Sequence, residues 1–315
     1  MYNGDSLIED SITTNYSDAD PGLLNDRQLV ALIDNDRVVG KPVIDEYYRR
    51  CIPLYLQFLG IHWHTGFYLD SGVGVSPADQ VRMVDHIADL AAITARDRVL
   101  DVGCGIGAAL CRLKQDRRCE VIGLTPVSEQ KKLAEELAAS RDLEIRIDLG
   151  HAENLPYPDA SFDVVTFFES SCHFADRQKF FREAARVLKP GGRIAGEDWL
   201  ATDLADEEAR VRWIDPICKA WAIPMLGDPN EYRQLLHIAG FTAIAVDDMR
   251  NLMPLHKGFS VEESELKALY REIEDCTEPL LELTLKGLAR LGEAFRADAF
   301  TIARLCARMP EVGET

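Results

Sequence analysis

Between residues 98 and 200, short apolar runs alternate with stretches whose apolar positions recur every three or four residues. The runs predict strands over 98–102, 119–124, 144–148, 162–168 and 192–198, and the stretches predict helices near 106–115, 127–140 and 174–188. Strands that alternate with helices predict a parallel sheet wound on both faces. A helix precedes the first strand: Ser76 and Asp79 form a capping box, Pro77 suits the first helical position, and Met83, Ile87 and Leu90 share one stripe. The Lys189-Pro190-Gly191-Gly192 turn closes the fourth unit. A later helix opens at Asp228-Pro229-Asn230-Glu231, buries Tyr232, Leu235, Leu236 and Ala239, and stops at Gly240. Strands near 241–247 and 299–308 bring the total to seven, an α/β doubly wound sheet of Rossmann-like type.

The remaining segments predict a helical cap over the carboxyl edge of that sheet. Residues 1 to about 40 are polar and acidic and read as an arm that folds only when packed on something. From Asp45 to Leu59 the aliphatic and aromatic density of a buried helix leads into Ile61-His62-Trp63-His64-Thr65-Gly66-Phe67-Tyr68. A second segment, 201–227, carries Trp213 and Trp221, and a third, 250–297, holds a helix capped by Ser260 and Glu263 and a Leu-rich helix from about 279 to 295. The expected division is therefore an arm and cap over 1–75, a core over 76–200, a cap insertion over 201–227, core again over 228–249, a helical cap over 250–297, and a last core strand with tail over 298–315.

Composition narrows the partners. With 35 Lys and Arg against 53 Asp and Glu, a formal charge of −18 repels a phosphate backbone, so nucleic acid and anionic membranes are poor partners and a small molecule is the better expectation. No apolar run approaches the roughly 20 residues that span a bilayer. The eight cysteines have no C-x-x-C spacing, and no signal sequence is evident, so they are expected to be reduced thiols in a cytoplasmic protein. No metal-ligand spacing is apparent, and association into a homo-oligomer is left open.

In an open α/β sheet, ligands bind where strands give way to helices. Asp101 ends the first predicted strand, and Gly103, Gly105 and Gly107 follow at alternate positions, where a missing side chain lets backbone approach a ligand. The D-x-G-x-G-x-G spacing differs from the G-x-G-x-x-G of dinucleotide enzymes, and no Lys-Ser/Thr pair follows as in a phosphate loop. Val99 to Gly107 resembles the first motif of class I S-adenosylmethionine-dependent methyltransferases. The resemblance continues through Gly123 to Gln130, Ala152-Glu153-Asn154-Leu155-Pro156-Tyr157, Ser161-Phe162-Asp163 and Arg186 to Gly192, covering about residues 60–200 in order. It implies the fold of that class, S-adenosyl-L-methionine as cofactor, and cofactor contacts from Asp101, Gly103, Gly105, Gly107, Ala152 and Glu153. Where many members carry an acid after the second strand, this chain has Leu124-Thr125, and its Gly-x-Thr-x-x-Ser-x-x-Gln pattern is similar to the branch of cyclopropane-fatty-acid synthases and sterol methyltransferases. That branch implies cofactor contacts from Thr125 and Gln130 as well as from Thr65 and Gly66.

The fourth strand runs into Phe167-Phe168-Glu169-Ser170-Ser171-Cys172-His173, placing a carboxylate and an imidazole at the ligand edge. The Glu-x-x-x-His stretch and the later Glu197-Asp198-Trp199 resemble sterol methyltransferases, and bacterial enzymes that methylate prenyl diphosphates share a Glu-Ser here. The resemblance implies methylation of an isoprenoid alkene carbon, such as that of geranyl or farnesyl diphosphate, a terpenoid or a sterol-like molecule, through a carbocation that Glu169 deprotonates, with His173 the second catalytic candidate. Aromatic faces stabilise a cation, and Trp63, Tyr68, Phe168, Trp199, Trp213 and Trp221 are the candidates to line the acceptor pocket. A diphosphate would call for basic residues or Mg²⁺, and Arg49, Arg50, Arg210 and Arg212 are available. An O- or N-methyltransferase, or a cofactor-binding cyclase without methyl transfer, stays open on the same residues.

Overall fold

Each central strand is buried along nearly its whole length, the pattern of a sheet covered on both faces. The computed structural model describes residues 21–35, 40–69, 76–203, 206–253 and 278–313. Seven strands form one sheet: β1 (Arg98–Val102), β2 (Glu120–Thr125), β3 (Arg146–Leu149), β4 (Phe162–Phe168), β5 (Leu188–Ala201), β6 (Thr242–Asp248) and β7 (Phe300–Arg308), in the order β3-β2-β1-β4-β5-β7-β6. The helices are α1 (Asp26–Asn35), α2 (Lys41–Phe58), α3 (Pro77–Leu90), α4 (Ala108–Arg117), α5 (Ser128–Ala139), α6 (Arg177–Val187), the single turn α7 (Glu207–Ala209), α8 (Asp215–Ala220), α9 (Pro229–Ile238) and α10 (Glu278–Arg296). Neighbouring strand residues feed opposite cores. Val99, Val121 and Val164 meet Met83, Ile87, Leu110 and Leu113 of α3 and α4 on one face. Leu100, Ile122 and Val165 meet Phe180, Phe181, Val187, Tyr232 and Leu236 of α6 and α9 on the other.

The sheet is mixed rather than parallel throughout. β7 lies antiparallel between β5 and β6, with Phe300 opposite Ala201 and Ala303 opposite Asp248. The chain leaves β6 at the carboxyl edge and re-enters the sheet there as Phe300, so its last strand must run backwards. The Lys189-Pro190-Gly191-Gly192 stretch also differs from expectation. It is not a boundary but a bulge inside β5, because Leu188 pairs with Phe162 and Arg193 already pairs with Val164. Gly191, at φ +72°, makes that excursion, and its N–H is satisfied by the Pro310 carbonyl at 3.1 Å.

Local signals hold where chemistry dictates them. Ser76 Oγ accepts from the Asp79 N–H at 3.1 Å to start α3, and Asp228 accepts from Asn230 and Glu231 at 2.9 Å to start α9. The helix expected around Ser260 and Glu263 lies outside the described residues. α2, α8 and α10 pack as a helical layer beside the sheet. The Tyr47 hydroxyl of α2 donates to the Ala220 carbonyl at 3.0 Å, and Gly287 of α10 lies so close to α8 that a Cβ there would meet that of Ala220 at 2.3 Å. No described helix is long and apolar enough to cross a membrane.

Candidate active site

Beyond the carboxyl ends of β1, β2 and β4 a cavity opens, walled on its far side by α2. The turn after β1 forms its floor. Gly103, at φ +78°, is a position where only glycine fits, since a Cβ would sit 2.5 Å from the Ser170 Cβ. The Gly103 and Cys104 N–H groups both donate to the Leu124 carbonyl, at 2.8 and 3.0 Å, which folds the turn back onto β2 and leaves the start of α4 facing the cavity. Asp101 stands beside the turn, 2% exposed, with one oxygen accepting from the Thr166 hydroxyl at 2.9 Å. Burial pushes its carboxyl up to about 7, against a smaller lowering by that hydrogen bond.

Thr125 and Gln130 meet at the end of β2. The Thr125 hydroxyl donates to Gln130 Oε1 at 2.6 Å, and both side chains are buried in the cavity wall. Glu153 is held from two sides, by an ion pair with Lys41 at 2.8 Å and by the Asp176 N–H at 3.2 Å. Lys41 belongs to α2, which also contributes Ile44, Asp45 and Tyr48 to the lining.

Glu169 occupies the first position after β4 with φ +44°, a left-handed conformation unusual for a non-glycine residue and often associated with functional sites. Two contacts hold it there: its N–H donates to the Glu197 carbonyl at 2.9 Å, and its Oε1 accepts from the Thr65 N–H at 2.8 Å. Burial raises its carboxyl to about 7, partly offset by the hydrogen bond from Thr65. His173 Nε2 and the Tyr48 hydroxyl are hydrogen-bonded at 2.6 Å, and burial pushes the imidazole down to about 3, so at neutral pH it is uncharged. His62 and His64 form a second neutral pair. Nδ1 of His64 lies 2.9 Å from the Thr65 carbonyl and Nε2 lies 3.3 Å from His62 Nδ1, which assigns the His64 proton to Nδ1. Burial lowers them to about 3 and about 4 respectively.

The glycine turn, the Thr125–Gln130 pair and a carboxylate on the facing strand are the arrangement expected of a methyl-donor site. A family model described as a methyltransferase domain matches residues 100–196. The chain is 36% identical over 211 residues to the tocopherol O-methyltransferase of Arabidopsis thaliana, covering 61% of each chain. It is 34% identical over 196 residues to the 27-O-demethylrifamycin SV methyltransferase of Amycolatopsis mediterranei, covering 61% of this chain and 71% of that one. Among solved structures, the [4+2]-cyclase SpnF superposes with a TM-score of 0.72 at 24% identity, over 85% of this chain and 95% of that one. The chain belongs to the S-adenosylmethionine-dependent methyltransferases. Membership implies S-adenosylmethionine as cofactor, and the glycine turn fits it, with a backbone floor that side chains would obstruct.

In this methyltransferase the cavity gathers Asp101, Gly103, Gly105, Thr125, Gln130, Ala152, Glu153, Phe168, Glu169, His173 and Trp63 from the sequence-expected set. Gly107 caps α4 at φ +75°, and a Cβ there would meet the Ala134 Cβ at 3.0 Å, so it shapes the turn from behind. Thr65 reaches the site through its N–H on Glu169. Gly66 packs on α3, where a Cβ would sit 2.5 Å from that of Asp79. Tyr68, Trp199, Trp213 and Trp221 are not part of the lining formed by the described residues. Trp199 packs edge-on against Trp221 and Phe300, with ring centres 5.0 and 5.4 Å away, and Trp213 lies under the Arg212 guanidinium at 4.5 Å.

The four arginines considered for a diphosphate are engaged elsewhere. Arg49 and Arg50 grip Glu46, Arg50 also reaches Asp26, Arg210 reaches the Leu226 carbonyl and Asp228, and Arg212 covers Trp213. Lys41 is the one Lys or Arg lining the cavity among the described residues, and it is paired with Glu153. The sequence reading missed Lys41, Ile44, Asp45 and Tyr48 as site residues, and took Tyr48 for core. The overlooked signal is that α2 has polar positions, Lys41, Asp45 and Tyr48, spaced by three and four residues on one helical face.

Proposed function

We propose that this methyltransferase transfers a methyl group to an alkene carbon of an apolar isoprenoid acceptor, with Glu169 as the base that completes the reaction. When bound, the cofactor supplies a sulfonium methyl for in-line displacement. The observation that carries the reading is a carboxylate with pKa near 7, clamped by the Thr65 N–H at the carboxyl end of β4, in a cavity walled by Phe168, Trp63 and Tyr48. Methylation of an alkene carbon leaves a cation that aromatic faces shelter and one base neutralises. Glu169 takes the proton from the carbon next to the cation, and the released C–H electron pair forms the new double bond. Neutral His173, fixed by Tyr48, holds the wall beside it without adding a positive charge that would oppose the cation.

The described lining favours a terpenoid-like acceptor over a free diphosphate, since its single ammonium group is committed to Glu153. A hydroxyl acceptor is the second reading, favoured by the relative named for O-methylation of tocopherol. The two separate in one assay: methyl-labelled cofactor incubated with terpenoids, prenyl diphosphates, sterols, phenols and amines. Label on an isoprenoid carbon is the expected result. Label confined to phenol or amine products would overturn it.

A further inference from the structure

Glu197 sits at the centre of the sheet beside Glu169, and the mechanism above gives it no role. It is 0% exposed, and neither carboxyl oxygen has a hydrogen-bond partner among the described residues. Among the described residues no group facing it supplies a cation, and the nearby Tyr68 hydroxyl, also buried without a partner, is neutral. His64 Nδ1 is 3.9 Å from its Oε1, but that nitrogen is bonded to the Thr65 carbonyl and the ring is neutral. Arg304 stands opposite Glu197 in the β5–β7 register, yet its guanidinium is bonded to Asp247 at 3.0 Å and lies 3.1 Å from His86. Asp198, next along the strand, is bonded to the Ser171 and Tyr232 hydroxyls.

An ionised carboxylate in such a place carries a large desolvation cost with nothing to offset it. A protonated one needs a single acceptor for its O–H, and the Glu169 carboxyl is in reach: the two residues already share a backbone hydrogen bond and their side chains interact. We propose that Glu197 is a neutral carboxylic acid at neutral pH whose O–H donates to the Glu169 carboxylate, making it the positioning residue that aims the base at the cavity. The Thr65 N–H and the Glu197 O–H then hold Glu169 from two directions. Glu197 keeps its proton through turnover, and the proton that Glu169 takes from substrate leaves to solvent. The direction of its pKa agrees: burial, and then the Glu169 charge, raise it well above the ordinary carboxylate range.

The assignment of Glu169 as base belongs to the proposed function, so the test does not depend on an acceptor. Infrared spectra of the full chain with S-adenosylhomocysteine bound, recorded at pH 8 with and without ¹³C-carboxyl glutamate, report the carboxylic-acid carbonyl directly. A protonated-acid band that shifts with the label in the unmodified protein is expected, lost in Glu197→Gln and moved in Glu169→Gln, where the acceptor is weaker. Absence of a label-sensitive band at pH 8, or a band that survives Glu197→Gln, would overturn the proposal. A band that Glu169→Gln leaves in place would overturn the hydrogen bond between the two. The label needs no variant to fold. With an acceptor in hand, Glu197→Leu is expected to lose at least about tenfold in turnover and to shift the acid limb of the pH profile upward, with Glu197→Gln recovering part of the loss because its amide still donates. Equal behaviour of the two variants would argue for packing alone.

Discussion

Glu169 shows how much a single position can be altered by its surroundings. An ordinary glutamate is ionised far below neutrality, but here burial lifts it to about 7, while the Thr65 N–H limits the rise. As the proposed base Glu169 must be ionised to act, so activity is expected to increase as pH rises through about 7 and to level off above it. A pH profile of kcat/KM whose acid limb falls near the ordinary carboxylate value would contradict this. Glu169→Gln keeps the volume and removes the proposed base, so turnover should fall by roughly 10²- to 10⁴-fold, with cofactor affinity, measured by calorimetry, nearly unchanged. Position and residue type were legible in the sequence, because a carboxylate after a buried strand faces the ligand edge. Its partners were not, since Thr65 and Glu197 are distant in sequence and meet it only through folding.

At the scale of elements, the turn between β1 and α4 is the most completely specified part of the chain. Gly103 needs a positive φ and a bare Cα because Ser170 packs against it, a requirement that local sequence announces as glycine but tertiary contact explains. Gly103→Ala adds a methyl at 2.5 Å from the Ser170 Cβ in a strained backbone, and is expected to weaken cofactor binding at least about tenfold while leaving the far-ultraviolet circular dichroism unchanged. Unaltered binding by calorimetry would mean the turn relaxes freely. Strands β1 and β4 match their predicted limits because continuous burial leaves only one reading, whereas β5 extends past its prediction at both ends. The Pro-Gly-Gly signal of a turn was real there, but pairing on either side of it converts a stop into a bulge. α2 was recognisable as a buried helix, though not as a wall of the site. An amphipathic pattern says that a helix has a packing face, not which cavity that face closes.

Across the whole molecule, buried titratable groups oppose one another. His62, His64 and His173 stay neutral in the fold, so as pH falls below about 6.5 the unfolded chain binds protons the folded one refuses, and stability is lost. Asp101 and Glu169 act the other way. Their folded values near 7 exceed the unfolded ones, so their contribution is present below about 4 and is lost as pH rises toward 7. The two slopes cancel in part between pH 5 and 6.5, and urea unfolding should vary little there. Replacing two of the carboxyls, as Asp101→Asn with Glu169→Gln, lightens that side of the balance, which Glu197 and Asp198 share because burial raises them too. That variant is expected to lose stability measurably from pH 6.5 to 5, and a pH-independent variant would disprove the opposition. The α/β class, the seven strands, the glycine turn and the residue types at the carboxyl edge can be read along the chain, because burial periodicity and backbone freedom are local properties. Folding sets the rest: β7 runs antiparallel, α2 closes the cavity, Trp199 and Trp221 pack on one another behind the site, and Glu169 and Glu197 lie together. Each of those depends on contacts between residues far apart in the chain, which a linear pattern does not encode.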